Sequence, residues 1–300
     1  MSALRSLPRR LSSLLAGIAQ SPGPVHVIVE HEAWIDIVAQ VCREAGLPLS
    51  PPRRTDRNAD TGFGYLTTPQ EPISHAKTVL RLSDIPSAAS NPVAEARIRA
   101  TLEEHWRSGV DLPALAVWPS GSRLPAGSRL LPGKALADRR GLGLGEDAAA
   151  CLDGPDGAFP LGLRSSCASL LQSWQQLRGR APVTAVVSSA PPSHQILCTH
   201  LASGVAALLN ARYAGELTGN QQPQGPEQPA ERVSRLASQL RLDPAQIDVA
   251  QVAGRHVLLV GASWRDGWTM TVSGQLLLSA GAASVRPFTL TSDIRPARHR

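Results

Sequence analysis

Apolar residues in the first part of the chain alternate between helical spacing and short strand-like runs. Leucines and an isoleucine recur on one helical face at positions 4, 7, 11, 14, 15 and 18. An alternating run predicts a strand at residues 25–30, and residues 34–45 predict a helix that ends before Gly46. A loop is expected at residues 48–61 and short strands at 64–67 and 78–82. These elements predict a small α/β unit over residues 1–88, whose role the sequence leaves open.

The segment from residue 89 to residue 180 favours helices joined by irregular stretches. Asn91 is a good N-cap and Pro92 a good first residue for a helix that ends at Gly109. Residues 111–133 are rich in proline and glycine and are expected to be irregular. Further helices are predicted at residues 135–150 and 164–177. This segment is therefore expected to be a helical connector.

From residue 181 to residue 300, short apolar runs alternate with amphipathic segments. Strands are predicted at 183–187, 256–260 and 284–290, with helices after Ser193, around Leu236 and at 269–280. Strand–helix alternation with short connections is typical of a parallel sheet covered by helices on its faces. The predicted fold class is α/β, with a Rossmann-like, parallel-sheet domain at residues 181–300.

Composition narrows the class of protein. Hydrophobic residues make up 42% of the 300 residues and charged residues 18%, which is too apolar for a disordered chain. No apolar run approaches the roughly 20 residues of a membrane-spanning helix. The four cysteines form no C-x-x-C pair, so a zinc ribbon or secreted disulfide framework is not indicated. The sequence thus predicts a cytoplasmic protein without a membrane partner.

The net charge of +6 comes almost entirely from arginine, since Lys77 and Lys134 are the only lysines. Arginine makes bidentate contacts to phosphate and stacks on bases, so an arginine excess suits a nucleic-acid partner. A compositional bias towards Arg, Ala and Gly explains the excess equally well. The charge permits DNA binding without requiring it.

One segment combines a strand, a glycine-bearing turn and a helix start: residues 257–271, VLLVGASWRDGWTMT. Free backbone amides and the helix dipole at such a turn create an anion site. The segment resembles the phosphoribosyl-pyrophosphate loop of type I phosphoribosyltransferases. In that family, an apolar strand leads to two acids and then to a Thr/Ser-Gly-x-Thr phosphate cradle.

Over about residues 92–292, the sequence most closely resembles the phosphoribosyltransferase-like domain at the C-terminus of some bacterial RecQ-type DNA helicases. Beyond the turn, the resemblance is carried by residues 118–121, 133–138, 182–187 and 276–290. It implies a role in DNA metabolism or repair, with DNA or a nucleotide as ligand and a separate helicase or repair protein as partner.

The departures from the family pattern concern the groups that do the chemistry. Gly261 and Ala262 replace the acid pair that holds the ribose hydroxyls in the family. Arg265 and Asp266 replace small hydroxyl residues of the phosphate cradle, and the turn at residues 188–192 lacks the arginine of its relatives. These losses favour a protein without transferase activity.

Helicase chemistry is excluded by the phosphate-binding motif that it requires. The segment most similar to a Walker A loop, from Gly127 to Ala135, has one spacer residue too many and an alanine where the motif requires serine or threonine.

A cysteine–histidine nucleophile pair is not indicated either. Cys198 and His200 are two residues apart on a predicted helix and so do not face each other. We expect no catalytic residue, metal or cofactor.

The candidate ligand-binding residues are Trp264, Arg265, Asp266, Gly267, Trp268 and Thr269. Tryptophan and arginine in an exposed loop are suited to base stacking. Alternatively, one tryptophan packs on the sheet edge, which we favour for Trp268, while Arg265 pairs with Asp266. Three functions follow: a non-catalytic nucleic-acid or nucleotide module, a divergent transferase that uses Asp266 as its acid, and a protein-interaction domain with the old site packed shut.

Overall fold

The computed structural model describes residues 3–21, 23, 25–29, 35–47, 49, 53–55, 62–66, 78–82, 92–141, 143–175, 181–219 and 226–294. The chain divides into two compact units. The first comprises the described residues within Met1–Trp106 and Arg140–Asp147, and the second comprises Arg107–Arg139 and Ala148–Ile294. The boundaries predicted at residues 88 and 180, and the start of the connector at residue 89, lie outside the described residues.

The first unit contains a four-stranded sheet in the order β2-β3-β1-β4. Its strands are β1 (Val25–Val29), β2 (Arg53–Thr55), β3 (Gly62–Leu66) and β4 (Thr78–Arg81). Strand β1 runs antiparallel to β3 and parallel to β4. Helices α1 (Ala3–Gln20), α2 (Ile35–Glu44) and most of α3 (Pro92–Ser108) belong to the same unit. Its core includes Leu7, Leu11, Leu14 and Ile18 of α1, so the predicted apolar face of this helix is buried.

The second unit contains a six-stranded sheet in the order β5-β6-β10-β9-β7-β8. The strands are β5 (Val110–Leu112), β6 (Gly133–Asp138), β7 (Ala185–Ser189), β8 (Arg212–Leu217), β9 (His256–Trp264) and β10 (Ser284–Ser292). All neighbouring pairs are parallel except β5 and β6. The carboxyl ends of β6 to β10 therefore meet at one edge, where ligand sites of such sheets form.

Helices cover both faces of this sheet. Helix α4 (Leu144–Asp153) begins in the first unit, and the helices that lie wholly in the second unit are α5 (Leu161–Gln175), α6 (Gln195–Leu208), α7 (Pro229–Gln239) and α8 (Trp268–Ser279). Helix α8 contacts β9 and β10, and α6 contacts β7, β8 and β9. Adjacent residues of a strand point to opposite faces of the sheet. Accordingly, Ser189 is hydrogen-bonded to Ser273 of α8 on one face, and Ser188 is hydrogen-bonded to Tyr213 on the other. None of the described helices is long and apolar enough to cross a membrane.

The α/β class with a mostly parallel sheet is confirmed, and three secondary-structure predictions need correction. Residues 133–138 form β6 and not the start of a helix, because pairing with β10 outweighs the helix preference of alanine and leucine. Strand β8 was not predicted, since Gly215 weakens its pattern. Residues 53–55 form β2 within the predicted loop. The connector segment thus contributes β5 and β6 to the sheet and is not purely helical.

Candidate functional site

The turn from β9 to α8 lies at the carboxyl edge of the sheet and consists of three residues, Arg265 to Gly267. Gly267 has a φ of 82°, in the left-handed region that favours glycine. A Cβ atom at this position would also collide with the ring of Trp264. The carbonyl of Gly267 accepts bonds from the amide and hydroxyl of Thr271, at 2.9 and 2.8 Å. The turn therefore requires glycine and is fixed to the first turn of α8.

The two positions that carry acids in the resembling family lie inside β9. Gly261 pairs in register with Thr289 of β10, and Ala262 is 7% exposed. A Cβ atom on Gly261 would lie 2.8 Å from the sulfur of Met270 and 3.4 Å from the carbonyl of Ser189. A carboxylate at residue 261 would thus be buried against α8 and not exposed at the turn.

Both tryptophans of the segment are packed within the protein. Trp264 is 2% exposed and belongs to the buried core of the unit. Trp268 is 9% exposed and stacks on Trp118, with ring centroids 5.7 Å apart and an interplanar angle of 17°. The hypothesis that Trp264 stacks on a base is therefore corrected, because no face of its ring is open to a ligand. Trp268 packs on the protein, the alternative favoured for this residue.

Asp266 is held by a helix that sequence reasoning did not connect with the turn. Its Oδ2 accepts a hydrogen bond from Arg232 of α7 at 2.5 Å, and its Oδ1 accepts one from the Trp268 amide at 3.2 Å. Arg265 is exposed and makes no side-chain hydrogen bond or ion pair to the residues that the structure describes. The alternative in which Arg265 pairs with Asp266 is therefore corrected, because Asp266 pairs with Arg232.

A second carboxylate strengthens this attachment. Glu227 accepts hydrogen bonds from Nε and Nη2 of Arg235, at 2.8 and 3.0 Å, and from Nε of Arg232 at 3.3 Å. The hydrogen bonds from Arg235 and then Arg232 hold the pKa of Glu227 below its usual range. Leu236 and Leu240 pack with Val272 of α8 beneath these charges. Helix α7 is thus bound to α8 by an apolar contact and by a charged one.

The turn from β7 to α6 is closed in the same way. Asp156 lies before α5, and its two carboxylate oxygens accept hydrogen bonds from the amides of Ile196 and Leu197, both at 2.9 Å. His194 donates from Nε2 to the Leu152 carbonyl at 2.8 Å. The amide groups at the start of α6, which would face an anion, are satisfied by the chain itself. The sequence showed Asp156 only as part of a turn-rich stretch.

The polar residues between α6 and β8 form no recognisable nucleophile–base pair. Ser188 Oγ and Tyr213 Oη are 2.9 Å apart, and Thr199 donates to Glu216 at 3.0 Å. Burial raises the pKa of Tyr213, and it raises the pKa of Cys198 to about 12. A thiol with this pKa is a poor nucleophile at neutral pH. Within the described ranges, no group of three or more His, Cys, Asp or Glu side chains is placed to hold a metal ion.

The fold and the site define an α/β protein with a mostly parallel, Rossmann-like sheet, in which two turns at the carboxyl edge are occupied by the chain's own carboxylates. No family model and no curated protein matches this chain.

Proposed function

We propose that this chain is a non-catalytic, phosphoribosyltransferase-like module that binds DNA and has a role in DNA metabolism or repair. The observation that carries the non-catalytic part is the closure of two helix starts by Asp156 and Asp266. The proposal includes a cytoplasmic location, which is supported by the four free cysteines. Its partner is proposed to be a separate helicase or repair protein.

The closed turns oppose transfer chemistry for an electrostatic reason. A phosphate entering either turn would have to displace a carboxylate that already interacts with the helix amides. At α8, the displaced Asp266 would also lose Arg232, which lies 2.5 Å away. The alternative of a transferase that uses Asp266 as its acid is therefore poorly supported, because both carboxylate oxygens are engaged.

The positive charge of the chain supports DNA as the ligand more strongly than the shape of the turn does. Of the 30 basic residues, only two are lysines, and arginine pairs with phosphate through two parallel hydrogen bonds. Arg265 is exposed at the turn, whereas Trp264 is buried. These features favour contacts with the nucleic-acid backbone over a mononucleotide held between aromatic rings.

Fluorescence anisotropy with labelled single-stranded and duplex DNA tests the proposal. We expect the logarithm of the association constant K to fall linearly with the logarithm of the salt concentration between about 50 and 200 mM. Arg99→Ala, at an exposed arginine of α3 in the other unit, is the reference variant, and Arg265→Ala tests whether the turn takes part in binding. A wild-type protein that does not bind at low salt would overturn DNA as the ligand.

The non-catalytic part has its own test. The protein is incubated with phosphoribosyl pyrophosphate and each common nucleobase, and pyrophosphate release is measured beside an active phosphoribosyltransferase. We expect release at the level of the buffer blank. Turnover that disappears in Asp266→Asn would establish the divergent transferase instead.

A protein-interaction domain is the second candidate, favoured by the packing of Trp264 and Trp268 away from solvent. It predicts no DNA binding at any salt concentration and a stable complex with a protein partner. Absence of DNA binding together with unchanged folding of the purified chain would favour this candidate.

A further inference from the structure

Three arginines from different parts of the chain meet at the amino edge of the six-stranded sheet, opposite the turns described above. Arg212 begins β8, Arg255 directly precedes β9 and Arg286 lies near the start of β10. His256, the first residue of β9, lies among them. In the sequence these residues are scattered over more than 70 positions, and no motif connects them.

Backbone hydrogen bonds hold this edge in a fixed row. The Arg212 amide donates to the Thr184 carbonyl at 3.2 Å, and the Thr184 amide donates to the His256 carbonyl at 2.9 Å. Arg212 and His256 are therefore two strand spacings apart, about 10 Å. On the next strand, Ser284 pairs with His256 in register, and its hydroxyl lies 2.9 Å from His256 Nδ1. We call this row, with Arg255 and Arg286, the basic edge.

Two arginines of the basic edge, Arg212 and Arg255, have no ion-pair partner among the residues that the structure describes. Arg212 and Arg255 are exposed, and their side chains make no hydrogen bond or ion pair to described residues. Asp248, which a backbone bond to Ala214 places beside β8, uses its carboxylate on the Ala250 amide and on Gln251. By contrast, four basic side chains of this unit have carboxylate partners: Lys134, Arg139, Arg232 and Arg235.

Arg286 contributes rigidity to this surface. Its Nη1 donates to the carbonyl of Ala181 at 2.9 Å, which ties the segment before β7 to β10 across β9. The exposed arginines thus extend from a row of strand ends that side-chain bonds also hold together. A surface fixed in this way loses little conformational entropy when it binds.

We infer that the basic edge binds the sugar–phosphate backbone of DNA, with Arg212 and Arg255 as the contacting residues. The inference rests on the proposed function and locates the DNA surface. Arg212 and Arg255 lie at the starts of strands two positions apart in the sheet, so their guanidinium groups can contact different phosphates of one DNA strand. Contacts between arginine and phosphate carry no base information, so we expect binding that does not depend on the base sequence.

The test is the salt dependence of DNA binding by the full-length chain carrying both Arg212→Ala and Arg255→Ala. Each lost phosphate contact should lower the slope of log K against log salt by about 1, so the double variant should lose about 2. We expect an affinity loss of about tenfold or more at low salt. The double variant with lysine at both positions keeps the charge and should retain most of the slope.

The outcomes separate this inference from the proposed function. Wild-type protein that does not bind DNA overturns both. If the double alanine variant binds DNA with the same slope of log K against log salt as Arg99→Ala, the basic edge is not the DNA surface. That result overturns this inference and leaves the proposed function standing. Binding of polyglutamate in preference to DNA, lost in the double variant, would assign the basic edge to an acidic protein and also overturn it. Thermal unfolding verifies that each variant folds, as expected for exposed side chains.

Discussion

Asp266 accepts a hydrogen bond at 2.5 Å from Arg232, which lies on a different helix 34 residues earlier in the chain. The same carboxylate accepts the Trp268 amide at the start of α8. One side chain therefore bonds the first amide of α8 and joins the turn before α8 to α7. An anion approaching the start of α8 would therefore meet a carboxylate that is already bonded there.

Removal of Arg232 should destabilise the second unit. The side chains of Arg232 and Asp266 are 16% and 32% exposed, between the surface and buried extremes. We expect Arg232→Ala to lower the free energy of unfolding by about 1–3 kcal/mol, and Arg232→Lys to lower it less. Urea unfolding followed by tryptophan fluorescence measures both variants. Identical midpoints for wild type and Arg232→Ala would show that the ion pair contributes nothing.

The cap on α6 makes a second prediction. Asp156→Ala leaves the amides of Ile196 and Leu197 without their carboxylate partner and should lower the unfolding free energy by about 0.5–2 kcal/mol. Asp156→Asn keeps an acceptor oxygen and serves as the matched variant, with a smaller loss. If alanine and asparagine variants both unfold like wild type, the cap has no energetic role.

Introducing an acid pair at residues 261 and 262 should not produce transferase activity. In Gly261→Asp/Ala262→Asp, the carboxylate at residue 261 meets Met270 and the carbonyl of Ser189, and both carboxylates lie in a buried strand. Buried, unpaired carboxylates are unfavourable, so we expect lower stability and no pyrophosphate release. The paired measurements are thermal unfolding and pyrophosphate release. Transferase activity in this variant would refute the conclusion that the two positions are closed.

Gly267 should be the least replaceable residue of the turn. Gly267→Ala places a side chain in the left-handed region, at about 1–2 kcal/mol, and against the ring of Trp264. Gly254, also left-handed with a φ of 69° but with open space around a Cβ atom, is the matched control. Urea unfolding should show a larger loss for Gly267→Ala than for Gly254→Ala. Equal losses would mean that contact with Trp264 is unimportant.

The first unit should lose stability in mild acid. His26 is 8% exposed with no hydrogen-bond partner at Nε2 among the described residues, and burial lowers its pKa below the ordinary 6.5. The unfolded chain therefore binds a proton at a higher pH than the folded chain, so stability falls as the pH drops below about 6.5. Urea unfolding from about pH 8 to pH 5 should show a weaker decline in His26→Leu than in wild type. Parallel pH profiles would exclude His26 as the cause.

Local sequence patterns were informative where burial follows a simple period. The leucine face of α1, the strands β1, β7 and β9, and the helix that begins after Gly267 were all predicted within a few residues. Strand β6 was mistaken for a helix because its alanines and leucine favour helix in isolation. Strand β8 was missed because a glycine at φ 116° sits within it. Both depend on pairing partners distant in the chain, which no local window contains.

The candidate site shows the same division. The sequence determined that strand, turn and helix meet at residues 264–269, that Gly267 belongs to the turn, and that Gly261 and Ala262 lack carboxylates. Only the tertiary structure decided that Trp264 is buried, that Asp266 pairs with Arg232, that Asp156 closes the start of α6 and that Arg212 and Arg255 share an edge. The physical reason is that backbone preference and apolar periodicity act over a few residues, whereas charge pairing depends on side chains that folding brings together from distant parts of the chain.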